Sequence, residues 1–212
     1  MLTFTFLWQA VGQAKPNMSV VLPEQRNAYA ADFYLNALTG FSASKKGTSN
    51  AVIADLSKQK SGSVTAKYKQ QVHGVEVFNR EYNLIMDKEH NLVAGSGYFA
   101  NTSANTKRSL APLADFVGAE QSIKQAIKKL ADINVFLTKS TEQGDYVKYT
   151  VTNQSGDKVV LGQPRAKKVF FEVNGQLESA YYVEVADKNS LESDCFSYVI
   201  GAKTAKYISK KI

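Results

Sequence analysis

An α+β fold built as two modules, each a helix packed on an antiparallel sheet, is what this sequence predicts, and three observations predict it. Apolar residues recur at helical spacing in two segments, 28–38 and 119–130. Around and after them, period-two alternation marks a succession of short strands joined by turn residues, which favours antiparallel neighbours. Between the two groups, residues 101–108 (NTSANTKR) lack apolar periodicity and are rich in turn formers. Residues 1–100 and 113–212 are therefore expected to be separate modules, with 101–112 as the linker.

The elements follow in order. The opening octet MLTFTFLW alternates Leu2, Phe4, Phe6 and Trp8 with Thr3 and Thr5 and reads as a half-buried strand. A secretory signal would need basic residues ahead of its apolar run, and the first lysine is Lys15. Pro23 at a first turn and Gly40 just past an end bound a helix whose buried stripe is Ala28, Ala31, Leu35 and Leu38. Residues 41–62 turn to Ser, Lys and Gly around a small apolar island, Val52, Ile53 and Leu56, and are expected to be a loop with one helical turn. From Val64 the period becomes two, and strands at 64–69, 75–78, 82–86 and 92–99 make an antiparallel meander. Gly95 and Gly97 leave one face of its last strand bare, the mark of a bulge or of another backbone's close approach. Past the linker, Ala119, Ile123, Ala126, Ile127 and Leu130 form one face of a helix and Lys124, Lys128 and Lys129 the other. Strands at 146–151, 159–161, 169–173, 177–186, 194–202 and 205–209 follow, with Asn174-Gly175 as a type I′ hairpin turn.

Composition narrows the function. The 212 residues, 44% hydrophobic, with 11 Phe and 11 Tyr, suffice for a packed core. No run approaches the ~20 apolar residues of a membrane helix, so no membrane span is expected. One cysteine cannot close an internal disulfide, and His73 and His90 cannot by themselves build a zinc centre. HExxH, CxxC, GxSxG, GxGxxG and the P-loop pattern are all missing. The chain reads as a non-enzyme, with no catalytic residue, no metal set and no cofactor. Its net charge of +7 points to an acidic partner or nucleic acid. Only four of the 26 basic residues are arginine, namely Arg26, Arg80, Arg108 and Arg165, and phosphate and base recognition leans on that side chain, so nucleic acid is not expected. His73 beside Gly74 reads as a turn residue rather than a ligand. Cys195, alternating with Ser197 and Val199 along a strand, is expected to be a small packed thiol, and of the pairs Phe170-Phe171 and Tyr181-Tyr182, which could form a binding platform, at least one residue each is expected to be core. Lys203, Lys206, Lys210 and Lys211 close the chain with no acid among them, as a solvated end or as a docking segment.

The meander carries a resemblance. It spells Tyr68, Gln70, His73-Gly74-Val75 and Val77-Phe78, then Tyr82-Asn-Leu-Ile-Met86, an acidic turn, and Leu92-Val-Ala-Gly95-Ser-Gly97-Tyr98. This resembles the fungalysin/thermolysin propeptide module, with its Q-x-x-x-G-V-x-V-F strand pair followed by a G-x-Y-like strand. The second half, a helix followed by VFFEVNGQLESAYYVEV from Val169 and SDCFSYVIGA from Ser193, is similar to a PepSY-type, cystatin-like domain with its helix on a curved antiparallel sheet. The resemblance implies a non-catalytic prodomain, chaperone and inhibitor of a secreted bacterial zinc metallopeptidase, passing through the periplasm as a precursor. Its partner would be the cognate catalytic domain, and zinc would belong only to that domain, where the family's HExxH helix lies. Lys203, Lys206, Lys210 and Lys211 would then mark the junction with the protease, the dibasic Lys210-Lys211 lying past the last strand as an accessible processing point. A free-standing cell-envelope binding or inhibitor module of PepSY type is the second expectation, separated from the first by whether an HExxH-bearing frame adjoins.

Overall fold

The structure, a computed structural model, describes residues 15–42, 49–101, 116, 118–153, 162–186 and 195–211. The chain divides into two compact units, residues 1–101 and 102–212. The strands expected at 2–8 and 159–161 and the linker beyond Asn101 lie outside the described residues.

In the first unit a 3₁₀ turn, Pro23–Gln25, runs into α1, Arg26–Thr39. Gly40 ends the helix at φ 74°, its N–H donating to Asn36 O at 2.8 Å, a conformation that a Cβ would strain. The buried face is Ala30, Ala31, Tyr34 and Leu35. It is rotated from the expected stripe, since Ala28 and Leu38 are half-buried. Two adjacent alanines let the helix lie close to the sheet, and Tyr34 reaches past them to donate to His90 O at 3.1 Å.

The sheet under α1 is an antiparallel run of β1 (Ser49–Lys58), β2 (Val64–Val72), β3 (Val75–Met86) and β4 (Leu92–Gly97), each paired with the next. In β2 every second residue from Val64 to Val72 is buried. Two expectations need correction. The predicted loop with a helical turn is strand β1, zipped to β2 from Ser49↔Val72 to Lys58↔Val64; a bulge between Ile53 and Asp55 breaks the alternation that would have announced it. The strands expected at 75–78 and 82–86 are one strand, β3, in which Asn79 takes φ 57° and the ladder to β2 slips three residues between Lys69 and Gln71. Asn tolerates that φ better than most residues, so the chain bends without leaving the sheet. Strand β4 also stops at Gly97, short of Phe99. Ala30, Ala31, Tyr34 and Leu35 of the helix close a core with Ala51, Val64, Ala66, Tyr68, Leu84 and Met86.

In the second unit α2, Glu120–Ala131, buries Ser122, Ile123, Ala126 and Ile127 against an antiparallel sheet. Its order is β5 (Val135–Gln143), β6 (Tyr146–Asn153), β7 (Arg165–Val173), β8 (Gln176–Ala186), β9 (Cys195–Gly201) and β10 (Tyr207–Lys211). The β7–β8 hairpin turns at Asn174 and Gly175 with φ 50° and 76°, the positive pair a type I′ turn requires. Strand β5 was not expected: past Val135 its side chains are largely exposed, so backbone pairing with β6 holds it rather than burial. Tyr149, Val151, Ala166, Tyr181, Val183, Val185, Tyr198 and Ile200 face α2 and form the core. The α+β class is as the sequence predicts.

Candidate functional site

The motif residues of the first unit are spent mainly on its own architecture. Tyr68, Val72 and Val77 are fully or almost fully buried and Phe78 nearly so. Gln70 is 0% exposed. Its Nε2 donates to Ala100 O at 2.9 Å while Ala100 N–H donates to its Oε1 at 2.7 Å. A primary amide presents an acceptor and a donor side by side, so Gln70 satisfies both main-chain groups of Ala100 and clasps the chain where it leaves β4. His73 and Gly74, at φ 49° and 80°, form the exposed β2–β3 turn, with Val75 half-buried beside Val72. Gly95 lies where a Cβ would press Leu38 Cδ1 and Tyr82 Oη at 3.2 Å. Gly97, at φ 123°, has room for none, because Glu81 O would stand 2.2 Å away. The expected close approach of another backbone is therefore at Gly97. The Tyr68 hydroxyl is buried with no hydrogen-bond partner among the described residues, and burial, reinforced by Asp32, raises its pKa.

Sequence reasoning missed a polar lock at the β3–β4 turn. Asp87 accepts from Glu89 N–H, Asn91 N–H and Asn91 Nδ2 at 2.9, 2.8 and 2.7 Å. These bonds, the Asn91 side chain foremost, hold its pKa below the usual carboxylate value. His90 Nε2 pairs with Asn27 Oδ1 of α1 at 2.8 Å, so this histidine fastens turn to helix.

The four C-terminal lysines do not form one tail. Lys203 and Lys206 are exposed in the β9–β10 connection, whereas Lys210 and Lys211 are strand residues of β10, paired with Tyr198 and Ser197. The expectation that the dibasic pair lies past the last strand is corrected: the pattern at 205–209 extends two residues further because β9 offers partners for them.

A second missed cluster occupies the face of the second unit's sheet opposite α2. Lys148, Arg165, Glu184 and Ser197 stand side by side on β6 to β9, with Tyr146, Lys167 and Tyr182 in the row two residues along. Arg165 Nε donates to Glu184 Oε2, its guanidinium lies 4.5 Å over the Tyr146 ring, and Tyr146 Oη donates to Glu184 Oε1 at 3.4 Å. Tyr182 Oη donates to Ser197 Oγ at 2.9 Å. Lys148, Gln163, Arg165, Glu184, Ala186 and Cys195 line a cleft of about 250 Å³. Cys195 is exposed on this face, not packed as expected, because in β9 it alternates with Phe196, Tyr198 and Ile200, which turn to the α2 core. Partial burial and Glu184 push its thiol pKa up, with Arg165 opposing. The signal in the sequence was the triplets YVK, RAK and YVE at 146, 165 and 182, each an apolar residue turned to the core between two polar or amphipathic ones, but only strand register brings them together.

Among the described residues no three His, Cys, Asp or Glu side chains are grouped to hold a metal ion, and no helix is long and apolar enough to cross a membrane. No family model matches the chain, and no curated protein does. Among solved structures the chain is similar to the Bacillus megaterium YpeB C-terminal domain, at 12% identity and a TM-score of 0.37, over 93% of this chain and 66% of that one. The fungalysin/thermolysin propeptide resemblance rests on the residues of the β2–β3 hairpin and of β4.

Proposed function

We propose that the chain is a non-catalytic prodomain that helps a secreted zinc metallopeptidase to fold and holds it inactive. The observation that supports this reading best is the Gln70 clasp. In the motif Q-x-x-x-G-V-x-V-F the glutamine ties β2 to Ala100, Gly74 makes the turn, and Val77 and Phe78 are buried, so the pattern encodes a folding unit and not a reaction centre. A partner that binds the folded protease and not its unfolded chain stabilises the folded form and, where it covers the cleft, excludes substrate. Zinc and the catalytic groups belong to that partner.

The test has two steps. Sequencing the gene beyond codon 212 is expected to reveal an HExxH-bearing catalytic domain in frame. That domain, refolded from urea with and without this chain added in trans, should recover more peptidase with it, and activity should stay low until the chain is removed. A frame without HExxH, or recovery and activity indifferent to the chain, would overturn the proposal in favour of a free-standing binding module.

A further inference from the structure

The cleft on the open face of the second unit holds donors without acceptors. Among the described residues, Glu184 takes the Nε of Arg165 and the hydroxyl of Tyr146, and no partner engages the two Nη amines of Arg165, the ammonium of Lys148 or the side-chain amide of Gln163, three residues that line the cleft. Glu184, with its side chain only 15% exposed, fixes the guanidinium from one edge while the Tyr146 ring supports it from one face. What remains open is the two-nitrogen fork that matches a planar oxyanion. Counting Lys148, Arg165 and Lys167 against Glu184, the two rows carry more positive than negative charge.

We infer that this cleft is a binding site for a carboxylate carried on a polypeptide, an aspartate or glutamate side chain of the protein partner, received by the Arg165 fork with Lys148 and Gln163 beside it. Size favours a side chain over a free metabolite, since about 250 Å³ falls below the ~300–1,000 Å³ of small-molecule pockets. The fork receives carboxylate and phosphate alike, but the Glu184 carboxylate held beside it repels a phosphate of nearly two charges more than a carboxylate of one, which favours the carboxylate. The inference rests on the reading that the chain binds a protein, yet its test needs no metallopeptidase.

The ¹⁵N-labelled full chain is titrated with a hexaglutamate peptide, and separately with inorganic phosphate, at low salt. The expected result is saturable shifts of backbone amides in β7, β8 and β9 with the peptide and much weaker ones with phosphate. Raising NaCl from about 20 to about 300 mM should weaken peptide binding about tenfold. Arg165→Lys keeps the charge and loses the fork, and should weaken binding about tenfold; Arg165→Gln should weaken it further, and Lys148→Gln about threefold. Lys128→Gln, an equal loss of charge on exposed α2, should leave it unchanged. Alkylation of Cys195, at the cleft wall, should slow in the presence of the peptide. Weakening by Lys128→Gln equal to that by Lys148→Gln, phosphate binding as tight as the peptide, or no shifts in β7 to β9 would each overturn the inference. A frame without HExxH would overturn the prodomain reading and leave these peptide results standing.

Discussion

Gln70 offers the sharpest test of how the first unit is held closed. Its side chain is 0% exposed and bonded in both directions to Ala100, at 2.9 and 2.7 Å. Gln70→Ala leaves the Ala100 N–H and C=O unpaired, at about 1–3 kcal/mol each where water cannot reach them, and opens a cavity besides. A loss of about 3–5 kcal/mol is expected, a large share of the ~5–15 kcal/mol that holds a typical domain together. Gln70→Glu adds a pH signature. One oxygen of the new carboxyl still accepts from Ala100 N–H, but the other faces a carbonyl that only the protonated acid can satisfy. Burial and that carbonyl raise its folded pKa above the ~4.3 of the unfolded chain. The variant should therefore be near wild type below about pH 4 and lose about 1.4 kcal/mol per unit of that rise as pH climbs through the interval. Urea unfolding followed by far-UV circular dichroism at both ends of the range measures this, with hydrogen exchange at the Ala100 amide as the local readout. A Gln70→Ala cost under about 1 kcal/mol with Ala100 protection intact, or a Gln70→Glu stability parallel to wild type at every pH, would refute the argument.

Three further outcomes are expected. Gly97→Ala, whose Cβ would meet Glu81 O at 2.2 Å, should cost more than about 3 kcal/mol or detach β4, whereas Gly74→Ala, strained only in φ, should cost about 1 kcal/mol; equal melting temperatures would contradict this. Asp87→Asn should destabilise by about 1 kcal/mol at pH 7. Because the Asp87 pKa is depressed in the fold, its contribution is complete above the unfolded carboxylate value and fades as pH falls through the lower folded one, so wild type and variant should converge in acid. Native chain should react with iodoacetamide at Cys195 without denaturant, slowly at pH 7 and faster above pH 9, and Arg165→Gln should slow it further by removing the cation that favours the thiolate; a thiol that reacts only after unfolding would show that the open face is covered.

What was legible in the sequence follows from what burial writes into it. Strand β2 spells its inward face as Val64, Ala66, Tyr68, Gln70 and Val72, and α2 its stripe as Ile123, Ala126 and Ile127, because one side of each must be apolar. Strand β5 buries Val135 and little else, so its pairing leaves no periodic trace. In β1 the bulge after Ile53 shifts the period midway, and a sequence pattern read with a fixed period sees a loop. The two halves of β3 looked like two strands because Asn79 is a turn former that here turns nothing back. The candidate site was harder still. Arg165, Lys148 and Glu184 lie 17 and 19 positions apart along the chain, and their adjacency is a product of register across three strands, which local spacing does not encode. For Cys195, strand alternation groups it with Ser197 and Val199 on one face but does not say which face the helix covers, and α2 packs on the other, with Phe196, Tyr198 and Ile200.

Strand β10 has a consequence for timing. A processing enzyme grips its substrate as a stretched segment drawn clear of its neighbours, and Lys210 and Lys211 lie in an edge strand, opposite Tyr198 and Ser197 in the ladder with β9. Were the dibasic pair a processing point, cleavage there would proceed through the small fraction of molecules in which this last strand has peeled away; for an opening cost of about 3 kcal/mol that is about one in 150. Before the second unit folds, the same bond would be open to attack at the full rate. Folding and cutting would then compete, and a chain that folds first would keep its lysine pair behind a latch.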